Sequence, residues 1–286
     1  MFIGSTRASV IFVVYTMVAA LSATAASVTL FSTGNPDGKV ATLSRTASAG
    51  KLETETADDF VLGTQASITG ATFTGLLVGG ATPANIKNIE IELYRVFPLD
   101  SVNPPSGRVL TRANSPSDNN FAAFDGNLGD LSFMATVLNP SFTAGNSVVN
   151  GIHPLPNQLT GGEGIVTGTE VQISVTFTTP FLVGATDHDF FRPEVDLGNA
   201  GDFLWLSAPK PIVSPGTPFT PDLQSWIRND GAGALGPDWE RIGSDVTNQG
   251  PFNAAFSLIG TPVPEPSAFF LFGAGLLAIA TRLRRR

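Results

Sequence analysis

Carboxylates are the most abundant reactive groups in this chain. It has 24 Asp and Glu against 16 Lys and Arg, with 2 His and no Cys in 286 residues. Asp187-His188-Asp189 is the densest group of potential ligands. On a strand Asp187 and Asp189 share one face, and their hard oxygens suit Ca²⁺, so this pair is the candidate metal site. A glycosidase needs two carboxylates across a cleft. Glu90 and Glu92, two apart on a strand, lie ~7 Å from one another on a single face and read as a solvated edge. Glu163, Glu170, Glu194 and Glu240 are the other carboxylates available for such chemistry. No Gly-x-Ser-x-Gly elbow occurs, and His153 sits before Pro154 in a Gly- and Pro-rich stretch, so a serine-hydrolase triad has no support. The lack of Cys removes disulfides, thiol nucleophiles, iron–sulfur clusters and cysteine-ligated zinc, and two His cannot form a multi-histidine centre.

Flat aromatic faces can stack on sugar rings. Trp226 and Trp239, beside acidic and Gly-rich stretches, are the candidate glycan-stacking residues, with core packing the competing use of each ring. Trp205, inside Phe203-Leu204-Trp205-Leu206, reads as core. The chemistry-bearing residues therefore name no catalytic group. Calcium is the one cofactor they suggest.

Strands must position these residues. Ile89, Ile91 and Leu93 alternate with Glu90 and Glu92, and Val171, Ile173, Val175 and Phe177 alternate with Gln172, Ser174 and Thr176. This period of two marks half-buried strands. Ala66–Val78, Val28–Phe31, Phe60–Leu62, Phe133–Leu138, Asp189–Val195, Phe203–Ser207 and Ala254–Ile259 are further candidates, and no segment of the body shows a helical stripe. The expected fold is all-β, an antiparallel, jelly-roll-like β-sandwich with one wet face per sheet. Asp100–Asp130 and the proline-rich Pro209–Pro221 read as long surface loops. The expected body is residues 27–262, with two sandwiches split near Asn139–Asn157 as the other arrangement.

Only 14% of the chain is charged, yet residues 27–263 hold 23 acidic and 11 basic residues, a formal charge of −12. Such a body argues against nucleic acid, whose binding draws on a basic face.

The ends differ from the body. One positive charge, an apolar run from Ala8 to Leu21 and the small-x-small site Ala23-Thr24-Ala25 describe a signal peptide over residues 1–26, cut by signal peptidase after Ala25 or Ala26. At the other end stand Pro264-Glu265-Pro266, an apolar helix expected over 267–283, and Arg282, Arg284, Arg285 and Arg286. Such a helix spans roughly 25 Å, marginal for a bilayer core. The Arg cluster would stop transfer and stay cytoplasmic, leaving the body outside.

Pro264-Glu265-Pro266, the apolar helix and the Arg-rich end resemble the PEP-CTERM sorting signal of Gram-negative bacteria, here residues 263–286. The resemblance implies processing by exosortase, a membrane cysteine protease, and a link to exopolysaccharide and biofilm. Asp187–Glu194, Phe203–Pro209, Asp222–Arg228, Pro237–Arg241 and Phe252–Ser257 also resemble segments recurring in bodies of such proteins, which implies a shared fold and no activity. The function expected is thus a non-catalytic protein of the cell surface or extracellular matrix. It would be held briefly at the inner membrane, with exosortase, signal peptidase and exopolysaccharide as its partners. A secreted glycoside hydrolase or lyase is the alternative.

Overall fold

The computed structural model describes residues 26–100, 109, 111–149, 159–229, 238–263, 275, 282 and 283. The strands are β1 (Val28–Ser32), β2 (Val40–Leu43), β3 (Glu55–Val61), β4 (Ala66–Val78), β5 (Asn88–Val96), β6 (Pro116–Asp125), β7 (Leu131–Ala144), β8 (Asn146–Val148), β9 (Val166–Val183), β10 (His188–Asp196), β11 (Asp202–Ala208), β12 (Trp226–Arg228), β13 (Glu240–Arg241), β14 (Asn253–Ala254) and β15 (Phe256–Pro262). They form two sheets. One has nine strands, with the path β1-β15-β4-β11-β2-β8, β14 beside β11, and β9 then β7 on the other side of β4. The other has six, in the order β13-β12-β3-β10-β5-β6. Among the described residues the pairings are antiparallel except β2 with β8.

The alternating residues explain why the sheets meet face to face. Ile68, Phe73, Val171, Ile173, Phe203 and Phe256 of the nine-stranded sheet join Phe60, Ile89, Ile91, Leu93, Phe191 and Val195 of the other in one buried cluster. Its aromatic rings interlock, Phe191 stacking on Phe256 at 5.1 Å and meeting Trp205 edge-on at 6.0 Å. Close backbone approach fixes the spacing at Gly75, where a Cβ would come within 2.4 Å of Phe203 and 2.5 Å of the Leu204 carbonyl.

Two expectations need correction. Asp100–Asp130 is not a continuous loop, because β6 begins at Pro116. Pro116 and Asn119-Asn120 read as turn residues, but β6 is an edge strand whose register with β5 shifts twice. Edges and bulges tolerate proline and break the alternation. Nor does the six-stranded sheet have a wet outer face, since Glu55, Arg192, Glu194 and Arg228 on that face are buried. Residues distant in sequence cover it.

Candidate functional site

That covered face carries the largest charged cluster. Phe191 and Val195 of β10 face the core, so Phe190, Arg192 and Glu194 point away from it. Register places Arg192 opposite Glu92, Glu194 opposite Glu90, and Arg228 opposite Glu55. Arg192 Nη2 donates to Glu55 Oε1 at 2.5 Å, Glu92 Oε2 at 2.7 Å and Glu53 Oε1 at 3.5 Å. Its Nη1 lies 2.7 Å from Glu194 Oε2. Arg228 Nε bonds Glu55 Oε2, and its Nη2 reaches Tyr94 Oη at 3.0 Å.

Burial works against charge on two members of this cluster. It raises the Glu194 carboxyl well above its ordinary value, with Arg192 opposing. It also disfavours charge on Arg192, but Glu194, Tyr94, Glu92 and Glu53 more than offset this and raise the guanidinium's pKa. Oxygens of Glu53, Glu55 and Glu194 lie within 4.8 Å of one another, close enough to share a divalent cation. The cation they share here is Arg192. Such a cluster has the chemistry of a structural lock.

The cover comes from the start of β6 with Arg112 just before it, and from Asp238-Trp239 just before β13. Arg112 pairs with Asp118 at 2.7 Å and Asp238 at 3.4 Å. Arg228 Nη1 donates to the Asp118 carbonyl at 3.3 Å, and Trp239 Nε1 donates to the Ser117 carbonyl at 3.2 Å. The Arg228 guanidinium lies 4.6 Å from the Trp239 ring centre, in cation–π contact.

A second group lies beside the proline-rich loop. His188 Nε2 is 2.6 Å from Asp59 Oδ2, which also accepts from the Leu223 N–H at 2.9 Å. Burial raises the Asp59 carboxyl, while His188 opposes the rise. The neighbouring Asp58 is raised well above its ordinary value by burial and by Asp59, although Ser225 Oγ and the Ala254 N–H both donate to it. The edge of Phe219 meets the His188 ring at 5.8 Å, and Phe219 lines an open pocket of about 420 Å³ with Lys210, Asp222 and Pro251. Lys210 and Asp222 are paired at 2.6 Å.

The sequence-derived candidates fall differently. Arg95 Nη1 sits 2.9 Å from Asp189 Oδ1 and 3.6 Å from Asp187 Oδ2, so a guanidinium bridges the two proposed calcium ligands. Burial lifts Asp189 to about 6 despite that pairing. Trp226 and Trp239 are 1% and 0% exposed, and neither offers a free face to a sugar. Core packing claims both rings because Phe190, Ala57 and Tyr94 join them in one apolar cluster. Glu92 is not a solvated edge, since it binds Arg192. Glu194 and Glu240 are buried. Glu53, Glu55, Asp58, Asp59 and Arg192 were not singled out from sequence. Of these only Arg192 has a local signal, a charge inside the apolar run Phe190-Phe191-Arg192-Pro193-Glu194-Val195.

The end sites Ala23, Ala25, Pro264, Glu265, Pro266, Arg284, Arg285 and Arg286 lie outside the described residues, while Arg282 is helical and exposed. Among the described residues no helix is long and apolar enough to cross a membrane. The described body ends on β15, which is paired to β1 on one side and β4 on the other, and Val263 N–H still donates to the Gln65 carbonyl at 2.8 Å. A β-rich body whose last strand leads directly into an apolar and basic tail has the layout of an exported protein with a C-terminal sorting signal.

Residues 262–286 match the family model of the PEP-CTERM protein-sorting motif. The chain is a PEP-CTERM domain-containing protein, an exosortase substrate. The signal marks it for export and for transient membrane anchoring before exosortase cleaves it. No curated protein and no solved structure matches the chain.

Proposed function

We propose that this protein is a non-catalytic structural or adhesive component of the cell surface or exopolysaccharide matrix. A signal peptide at residues 1–26 starts its export, and a jelly-roll-like sandwich is its working body. The sorting motif at residues 262–286 carries the reading, because it commits the body to delivery outside the cell. The chemistry of the body supports it. The carboxylates best arranged for catalysis, Glu55, Glu92 and Glu194, are held by Arg192 on a covered face. A general acid or nucleophile must instead touch its substrate.

The test incubates mature protein with matrix polysaccharide purified from the host. The proposal expects co-sedimentation with the polysaccharide and no new reducing or unsaturated sugar ends. Steady release of such ends, abolished by Asp59→Asn or Glu194→Gln, would establish a glycoside hydrolase or lyase instead.

A further inference from the structure

We propose that the free edge of β7 is a homodimerisation surface, where a second copy of this chain adds its own β7 in antiparallel register. This inference does not depend on a matrix role. Among the described residues β7 pairs only with β9. An unpaired strand edge presents a row of N–H and C=O groups that can template another strand, and proteins usually blunt it with charge, proline or bulges. In β7 such protection is confined to one half. The register with β9 shifts between Val137 and Asn139 and again before Phe142, around Pro140. Leu131 to Val137 pairs without a break, and Leu131–Leu138 contains no charge, Gly or Pro.

The same eight residues expose apolar side chains on both faces. Phe133 and Val137 lie opposite buried Val175 and Val171, on the core side of the sheet, yet are 36% and 46% exposed. Met134, on the other face, and Leu138, at the register shift, are 64% and 51% exposed. Among the described residues, the nine-stranded sheet therefore extends past what covers it at this edge.

Two observations favour a second copy as the occupant. The first is charge. Residues 27–263 carry a formal −12, so two bodies repel at most orientations. β7 has no charged residue from Leu131 to Ala144, and edge-to-edge docking there sets no like charges opposite one another. The second is self-complementarity. A two-fold axis perpendicular to the sheet makes the strands antiparallel and keeps each face on its own side. Centred on Ala135, it sets Phe133 against Val137 of the second copy, twice over, and Met134 against Thr136. Aromatic against β-branched is a favourable cross-strand pair. The interface is isologous and closes as a dimer.

The test uses mature exported protein. Sedimentation across the micromolar range is expected to give twice the monomer mass. Met134→Lys with Leu138→Lys, both at exposed positions, should raise the dissociation constant roughly tenfold or more, while the melting temperature measured at concentrations where both proteins are monomeric stays unchanged. The chain has no Cys, so Ala135→Cys can form a disulfide only with another copy. Mild oxidation of that variant should give a covalent dimer reversed by reductant, an arm that stands even if the double variant folds poorly. Monomer at every concentration, or a dimer unaffected by the double variant with no cross-link through position 135, would overturn the proposal.

Discussion

The two sheets face one core but are held by different physics. Strands of the nine-stranded sheet contain two charged residues, Glu170 and Asp202, whereas those of the six-stranded sheet contain fifteen. The first relies on shape. Thr, Ser, Gly and aliphatic residues let strands approach closely, as at Gly70 and Gly75, where an added Cβ would meet backbone at 2.5 Å. The second relies on paired charge around Arg192 and Arg228, sealed by Trp239 and the start of β6. A buried pair of this kind adds little over apolar packing, but removing one partner strands the other in a low dielectric. The sheets should therefore fail in different ways.

The largest effect should come from Arg192→Ala. It leaves Glu55, Glu92 and Glu194 without their shared cation, and urea unfolding should show a loss of about 3–5 kcal/mol. Arg192→Lys should recover little, because one ammonium cannot replace a fork that serves Glu55 and Glu194 from separate nitrogens. A loss below about 1 kcal/mol would show that the cluster is ordinary surface charge. In the other sheet Gly75→Ala should cost about 1–3 kcal/mol through overpacking against Phe203 and Leu204. A neutral result would mean that the sheet accommodates bulk and that shape is not what holds it.

Next in size is the response to pH. Asp58, Asp59, Asp189 and Glu194 all have carboxyls raised by burial, Asp189 to about 6. A folded pKa above the unfolded value gives stability that is fully present below the unfolded pKa, about 4, and lost as pH rises through the folded one. Asp202 acts oppositely. Burial works against its charge, but Lys51 and Arg45 hold it below its ordinary value, so its contribution disappears as pH falls under about 4. Thermal melts should peak near about pH 4 and decline as pH rises toward 8. A maximum near pH 8 would show that these acids are not buried as described.

The smallest effect expected is that of chelation. Arg95 already bridges Asp187 and Asp189, so removing calcium should leave the melting temperature unchanged. A fall with chelator would mean that calcium displaces the guanidinium and stabilises the native state.

Much of the nine-stranded sheet was legible from periodicity. The Thr-rich run Ala66–Val78 is β4 with the same bounds, and the expected strands at 170–178 and 203–207 lie within β9 and β11. Of these, β9 carries the alternation over Val171–Phe177, buried on one face and more open on the other, whereas β4 and β11 are buried on both faces and are legible from their Thr-rich and apolar make-up. The six-stranded sheet was read less well. Glu90 and Glu92 alternate as a wet face would, and nothing local tells a charge facing water from one facing Arg192. The difference is made by Arg112, Ser117, Asp118 and Trp239, brought over that face from elsewhere in the chain. The same absence of local signal hid the Asp59–His188 contact, which spans 129 positions. Burial of Trp226 and Trp239 likewise follows from that cover and not from their neighbours in sequence.

Export of this body depends on its C-terminal sorting motif. Proline fixes φ and lacks an N–H donor, so the sequence Pro264-Glu265-Pro266 is expected to disfavour helix where a protease must read it. Replacing Pro264-Glu265-Pro266 by Ala should leave the protein in the inner membrane. The most direct measurement is the intact mass of protein recovered from the matrix of a host carrying exosortase. Processing by exosortase should leave a chain that lacks Arg282, Arg284, Arg285 and Arg286. Recovery of matrix protein still ending at Arg286 would contradict it.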